Sequence, residues 1–321
     1  MKTKTDERTT IRKKSFKDYI KTAWPLYVMV LPLVVYLFIF NYVPMFGLQL
    51  AFKDWNPRLG IWGSHWAAGE DGGVFLFKNF AELFKTSMFT DKLVNTVRIS
   101  LLKILFGFPV PILLVIFMNE MTSAKFMKGV QAISYLPHFI SWVVLGGIFL
   151  QMFSAGSPIQ NVFSALFGKE IYFFSNNRLY LTFIILSDIY KGCGWGTIIY
   201  LAALMNIDPQ LYEAASLDGA SRWKKMWFIT LPGLVPAIEI NIILSLSNVM
   251  YAGFDQIYNT YNTAVYKMGD VLETYIFRIG ISESSEYAKA TAVGLFNSAI
   301  GCILVLIANK VIKLIGGEGI W

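Results

Sequence analysis

Asp188 and Lys191 stand three residues apart inside one long apolar stretch, and Glu239 lies inside another. Charge is costly in such surroundings, so these side chains are expected to pair, to relay ions, or to line an aqueous path. The i,i+3 spacing puts Asp188 and Lys191 on one helix face, within reach of an ion pair. Asn241 and Asn248 follow Glu239, Asp255-Gln256 comes after them, and Tyr190 and Trp195 flank Lys191. Each has a plainer reading too: a structural Asp188–Lys191 pair, Glu239 at the cytoplasmic boundary, Asp255-Gln256 in an external loop. Arg98 and Lys103 are expected to snorkel toward the external interface. Two histidines (His65, His138) and two cysteines (Cys193, Cys302), far apart in sequence, point to neither a disulfide framework nor a metal cluster. No G-x-x-x-x-G-K-[ST] occurs; around Gly168-Lys169, Phe163 replaces the first glycine and Glu170 the hydroxyl. No catalytic residue, metal ligand or cofactor is therefore assigned to this chain.

The elements that position these residues are long and apolar. Of 321 residues 55% are hydrophobic and 15% charged, against about 25% charged in soluble domains, so a membrane protein is expected. Six apolar runs, about Trp24–Tyr42, Leu101–Met118, Val130–Phe153, Leu179–Met205, Leu234–Tyr251 and Ala292–Ile312, are each long enough to cross a bilayer as a helix. The fold class is all-α: a polytopic bundle of six transmembrane helices. The first run lacks an A-x-A exit and reads as a retained helix rather than a cleaved signal. Six crossings put both termini on one side. The segments 1–23, 119–129, 206–231 and 310–321 hold fifteen Lys/Arg in 72 residues, against ten in 113 for segments 44–92, 154–178 and 252–290. The denser basic side is cytoplasmic. The net charge of +7 thus reflects basic cytoplasmic ends and not a nucleic-acid surface. Residues 1–23 form a basic cytoplasmic tail and 24–321 the membrane domain. Phe108-Pro109-Val110-Pro111 and Gly192-Cys193-Gly194-Trp195-Gly196 suggest bent spans or close helix approach.

The cytoplasmic loop 206–231 lies within NIDPQLYEAASLDGASRWKKMWFITLPGLVPA. Asp208-Pro209 starts a helix, since the carboxylate caps free N–H groups and proline suits the first turn. Gly219 supplies a turn, and a second helix through Ser221–Thr230 should end at Leu231-Pro232. Ala214, Ala215 and Ala220 permit close docking, with Glu213 and Asp218 at the edges. An amphipathic helix on the membrane surface is the plainer alternative.

Glu213-Ala214-Ala215, Asp218-Gly219-Ala220 and Ile229-Thr230-Leu231-Pro232 resemble the signature EAA-x-x-DGA and I-x-LP of binding-protein-dependent ABC importer permeases. Met226 departs from the phenylalanine usual there. LFGFPVPILLVIFMNEM, YLPHFISWVVLGGIF, YKGCGWGTIIYLAALMNID and VLETYIFRIGI extend the likeness to the carbohydrate-uptake branch, similar to the maltose importer, and to complex-polysaccharide permeases of the LplB and YteP type. The resemblance implies the type I ABC importer permease fold, with Glu213 through Met226 as the coupling helix that seats on a cytoplasmic ATPase. It implies a second permease, two ATPase copies carrying ATP and Mg, an extracellular solute-binding protein, and location in the plasma membrane. Its passengers would be oligosaccharides, complex or acidic plant-polysaccharide fragments of pectin or rhamnogalacturonan type. Asp188, Lys191, Glu239, Asn241, Asn248, Asp255 and Gln256 would then line the path, with Tyr190 and Trp195 stacking on sugar faces and Lys191 attracting a uronate carboxylate. The rival is a secondary transporter or channel in which Asp188, Lys191 and Glu239 relay ions; it has no use for a docking loop. A membrane enzyme acting on lipid-linked sugars would need an acid cluster that is not evident. MGDVLETYIFRIGI is expected to form an external helix by the path mouth, and IWGSHWAAGEDGGVFLFKNF a folded external scaffold.

Overall fold

The computed structural model describes residues 16–321 apart from 70–72, 74, 155, 169–171, 283–284, 318 and 321; most of the basic tail lies outside the described residues. It divides into two units, residues 1–49 and 50–321. The first holds α1 (Phe16–Leu37), which continues through a π-helical turn at Phe38–Tyr42 into Val43–Met45. Residues Ala23–Phe52 have the length and apolarity of a membrane span.

Among its described residues the second unit is helical apart from loops and one isolated bridge between Lys53 and Trp66. In chain order come α2 (Lys78–Lys85), α3 (Ser87–Gly107), α4 (Pro109–Asn119), α5 (Ala124–Phe139), α6 (Trp142–Met152) and α7 (Pro158–Phe167). Then follow α8 (Asn177–Met205), α9 (Pro209–Leu217), α10 (Arg222–Lys225), α11 (Leu231–Ser247), α12 (Phe254–Tyr258), α13 (Leu272–Phe277) and α14 (Tyr287–Leu314). The long helix α8 is the hub, packed against α3, α4, α5 and α11, while α14 packs on α11. Ile99, Tyr180, Phe183, Ile184, Ile257 and Val271 form one buried cluster. Val115, Tyr200 and Leu234 form another at the opposite end of α8, near the loop that follows it.

Four helices among the described residues are long and apolar enough to span a membrane, or five if one bent pair counts as a span. Several of the six expected runs change shape. The second is not Leu101–Met118 but α3–α4 together, Ser87–Asn119, passing through Pro109 and Pro111. Its extra turns carry Asn95, Thr96 and Ser100, whose polar groups are met by other elements: Asn95 donates to the Asp270 carbonyl at 2.9 Å, and Thr96 Oγ1 accepts from Leu272 N at 2.9 Å. The third is broken by 98° between α5 and α6, where Pro137 and the Ser141 N-cap end one helix and start the next. The fourth, α8, has ample length at 29 residues but is not among the apolar spans, as it carries Asp188, Lys191 and three glycines. The fifth starts earlier than expected. Leu231-Pro232 does not end the loop's second helix, because a π-helical turn at Met226–Thr230 carries the chain into α11 with Pro232 in its first turn, where no donor is needed.

Two of the three glycines of α8 serve close approach. A Cβ at Gly194 would lie 2.0 Å from the Ser134 carbonyl oxygen, and one at Gly196 2.8 Å from the Pro111 ring. The segment after Gly269 forms α13 and a π-helical turn at Arg278–Ser282, lying against α3 and α14.

Candidate functional site

Two places combine exposed or cavity-facing polar groups with rigid support. The first is the loop around α9. Asp208 caps α9 by accepting from Gln210 N at 2.9 Å. At the other end Ala220 N donates to the Ala215 carbonyl (2.9 Å) and Gly219 N to that of Ser216 (3.2 Å), the paired closure that requires a left-handed residue. Gly219 supplies it at φ +73°. The inward side of α9 carries Ala215 and Tyr212, whose hydroxyl bonds Thr230 Oγ1 at 2.9 Å, tying the loop to the start of α11. Lys225 reaches across to Ser216 Oγ at 2.6 Å. Glu213, Ala214, Asp218 and Gly219 are exposed, and Leu217, at 90%, is the most exposed large apolar residue of the described chain. Leu217 was missed in the sequence because it sits between the motif's conspicuous residues. Met226 is half-buried and lines a groove of about 520 Å³ with Ile112 and Ile116 of α4, turned toward its own chain.

The second place is a cavity of about 300 Å³ between α3, α4, α8 and α11, lined among others by Lys103, Asp188, Cys193, Ser245, Asn248 and Tyr251. Of the residues expected to line a path, Asp188 and Asn248 are here; Tyr190, Lys191, Trp195, Glu239, Asn241, Asp255 and Gln256 are not among its walls. The expected Asp188–Lys191 pair is replaced by two others. Asp188 Oδ1 takes its bond from Lys103 at 3.0 Å. The Lys191 ammonium instead donates to the backbone carbonyls of Pro137, His138 and Ile140, satisfying the free end of α5 at the 98° break, with the Trp142 ring 5.4 Å away. Lys103 is likewise no snorkelling residue. Its ammonium also donates to the Ala252 carbonyl at 2.8 Å and to Gln256 Oε1. Gln256 is 1% exposed and fixed by its amide to the Ile184 carbonyl (2.7 Å) and Ser187 Oγ (2.8 Å). Those partners lie 85 and 153 positions from Lys103, so no sequence spacing reveals them.

The remaining expected residues are distributed as follows. Trp195 stacks on His138 with centroids 4.3 Å apart, and Tyr190 meets Phe149 edge-on. Asn241 Nδ2 donates within its own helix to the Ala237 carbonyl. Glu239 lies beside the C-terminal turn, where a Cβ at Gly317 would fall 2.5 Å from its Oε1. Asp255 is exposed in the first turn of α12.

Outside the cavity walls, Asp270 is wholly buried between Lys92 (3.1 Å) and Arg278 (2.6 Å), with Thr274 Oγ1 donating to its Oδ1 at 2.7 Å. Glu273 accepts from Gly253 N at 3.0 Å; burial pushes its carboxyl above the usual range, opposed by backbone donors and by Lys103. Among the described residues no group of three His, Cys, Asp or Glu side chains gathers to hold a metal ion.

A polar cavity among the long helices and a capped loop helix suit a membrane transport subunit, and comparison agrees. Residues 104–314 match the family described as the binding-protein-dependent transport system inner membrane component, and the chain belongs to it. It is 39% identical over 297 residues to the polygalacturonan/rhamnogalacturonan transport system permease protein YteP of Bacillus subtilis, covering 92% of this chain and 90% of that one. It is 36% identical to protein LplB of the same organism, with 92% and 91% covered. A crystal structure of a bacterial alginate ABC transporter, in complex with an alginate pentasaccharide-bound periplasmic protein, contains a chain of 37% identity and TM-score 0.84, covering 96% of this chain and all of that one. The chain is thus a membrane-integral permease subunit of an oligosaccharide importer served by a binding protein.

Proposed function

We propose that this chain forms half of the translocation path of an ATP-driven importer for acidic oligosaccharides of the uronate-rich, pectin-fragment kind. A second, related permease supplies the other half. An external binding protein delivers the sugar, and two copies of a cytoplasmic ATPase, carrying ATP and Mg, drive the cycle. The chain crosses the plasma membrane six times, α8 and the bent α5–α6 pair counting as crossings, with both termini, the tail 1–23 and loop 206–231 inside. Segments 44–92, 154–178 and 252–290 face out.

The observation that carries this reading is α9, a helix held rigid by caps at both ends that presents Glu213, Ala214, Leu217 and Asp218 outward. A capped helix tied to α11 through Tyr212–Thr230 transmits a push on the loop into a span and onward to α14. ATP and the loaded binding protein shift the path between outward- and inward-facing states only by binding the two unequally. The acidic-sugar assignment is supported by relatives named for polygalacturonan and alginate, both polyuronates.

The test is reconstitution of the complete importer in liposomes, following ATP hydrolysis and uptake of labelled oligogalacturonate. Wild type should show uptake that needs both ATP and the binding protein. Gly219→Pro should insert and assemble yet hydrolyse ATP without uptake. ATP-independent uptake by wild type would overturn the importer reading, and normal uptake by Gly219→Pro would overturn the role of the loop.

A further inference from the structure

The three N–H donors of Lys103 are fully committed, but not equally. Two go to the Ala252 carbonyl and to Gln256 Oε1, acceptors held by buried structure. The third goes to Asp188, whose side chain is 40% exposed while that of Lys103 is 12% exposed. The ammonium is therefore fixed in place from behind, and its forward partner is a carboxylate standing in the cavity. Ser245, Asn248 and Tyr251 add hydroxyl and amide groups around it, in a volume of about 300 Å³, at the lower end of small-molecule sites. Glu273 is the other charged group acting on Lys103, and its carboxylate is engaged by Gly253 N. Lys191, the intramembrane cation with the more obvious spacing, is spent on backbone carbonyls.

We propose that Lys103 reads the carboxylate of an acidic sugar in the path, and that Asp188 is its built-in surrogate, holding the carboxylate position when no passenger is present and exchanging with it when one is. An ammonium left bare in a membrane is costly, so an internal counter-charge is needed in the empty path. Because the surrogate must be displaced, a passenger without a carboxylate gains nothing from Lys103, and the pair becomes a selectivity element. The inference rests on the acidic-sugar reading above and names the residues that carry it.

The experiment compares uptake of trigalacturonate with that of its methyl ester by the complete reconstituted importer, each normalised to binding-protein occupancy. Lys103→Gln/Asp188→Asn replaces the ion pair with a neutral hydrogen-bonded pair. It should lower the acid-to-ester uptake ratio by about tenfold or more, the value of a charge-assisted hydrogen bond. Asp188→Asn alone removes the competitor and should raise that ratio. A purely structural pair would lower uptake of both sugars together and leave the ratio where it was. A ratio within twofold of wild type in both variants overturns the proposal. If the double variant does not assemble, Asp188→Asn decides alone, and an unchanged or lowered ratio overturns it. Failure of wild type to import trigalacturonate would instead remove the acidic-sugar reading, and this proposal with it.

Discussion

The loop around α9 and the interior charge clusters solve the same problem, holding polar groups in fixed positions, by opposite means. In the loop every bond spans a short stretch of chain: Asp208 to Gln210, Ala220 to Ala215, Lys225 to Ser216, Tyr212 to Thr230. Around Asp270 and Lys103, beside the short-range Thr274 and Arg278 contacts of Asp270, the decisive bonds join α3 to segments of the chain roughly 80 to 180 positions away. Local bonding lets a surface helix keep its shape without support from distant parts of the chain. Long-range bonding locks α3, α8, α12 and α13 into one body, and it is expensive to break where the partners are buried, as Asp270 and Gln256 are, and less so at Asp188, whose side chain is 40% exposed.

The largest effect should therefore come from Asp270→Ala, which strands Lys92 and Arg278; removing one member of a buried pair costs about 3–5 kcal/mol. Thermal melting of the detergent-solubilised protein would measure this, and a melt close to wild type would break the contrast. Next comes Gly194→Ala, whose methyl group meets the Ser134 carbonyl and must push α5 from α8, at about 1–3 kcal/mol. An unshifted melt there would show that the two helices separate freely.

Glu273→Gln should act through pH. Burial raises this carboxyl above its ordinary 4.5, so the folded state holds the proton more tightly than the unfolded one. The stabilisation is present below the unfolded value and is lost as pH rises through the raised folded value. Glutamine mimics the neutral acid, so the melting temperature of the variant should fall less with rising pH; parallel curves would remove the carboxyl as the cause. The smallest stability effect belongs to Glu213→Lys on exposed α9, within about 0.5 kcal/mol. Coupled uptake by the complete importer should nevertheless be lost, and retained uptake would show that docking does not use this side chain.

The same contrast explains what was legible in advance. Asp208, Pro209 and Gly219 act within a turn or two of themselves, so the start and stop of α9 follow from residue type and spacing. The Asp188–Lys191 pair was inferred by the same local logic and does not form, since the short reach that permits an i,i+3 pair does not exclude a better partner on another helix. Lys103 had no informative neighbour at all. Leu231-Pro232 was read as an end because proline lacks a donor, whereas a π-helical turn removes the need for one.

Composition and apolar run length by themselves determine that this chain is a helical membrane protein, because a continuous apolar run of about twenty residues in a bilayer satisfies its backbone as a helix and lacks the alternation of a barrel strand, and the loop motif determines the family. Only the tertiary structure decided which charges face the cavity and which close helix ends. Those choices depend on which helices meet, and an ammonium binds whichever acceptors packing brings within about 3 Å.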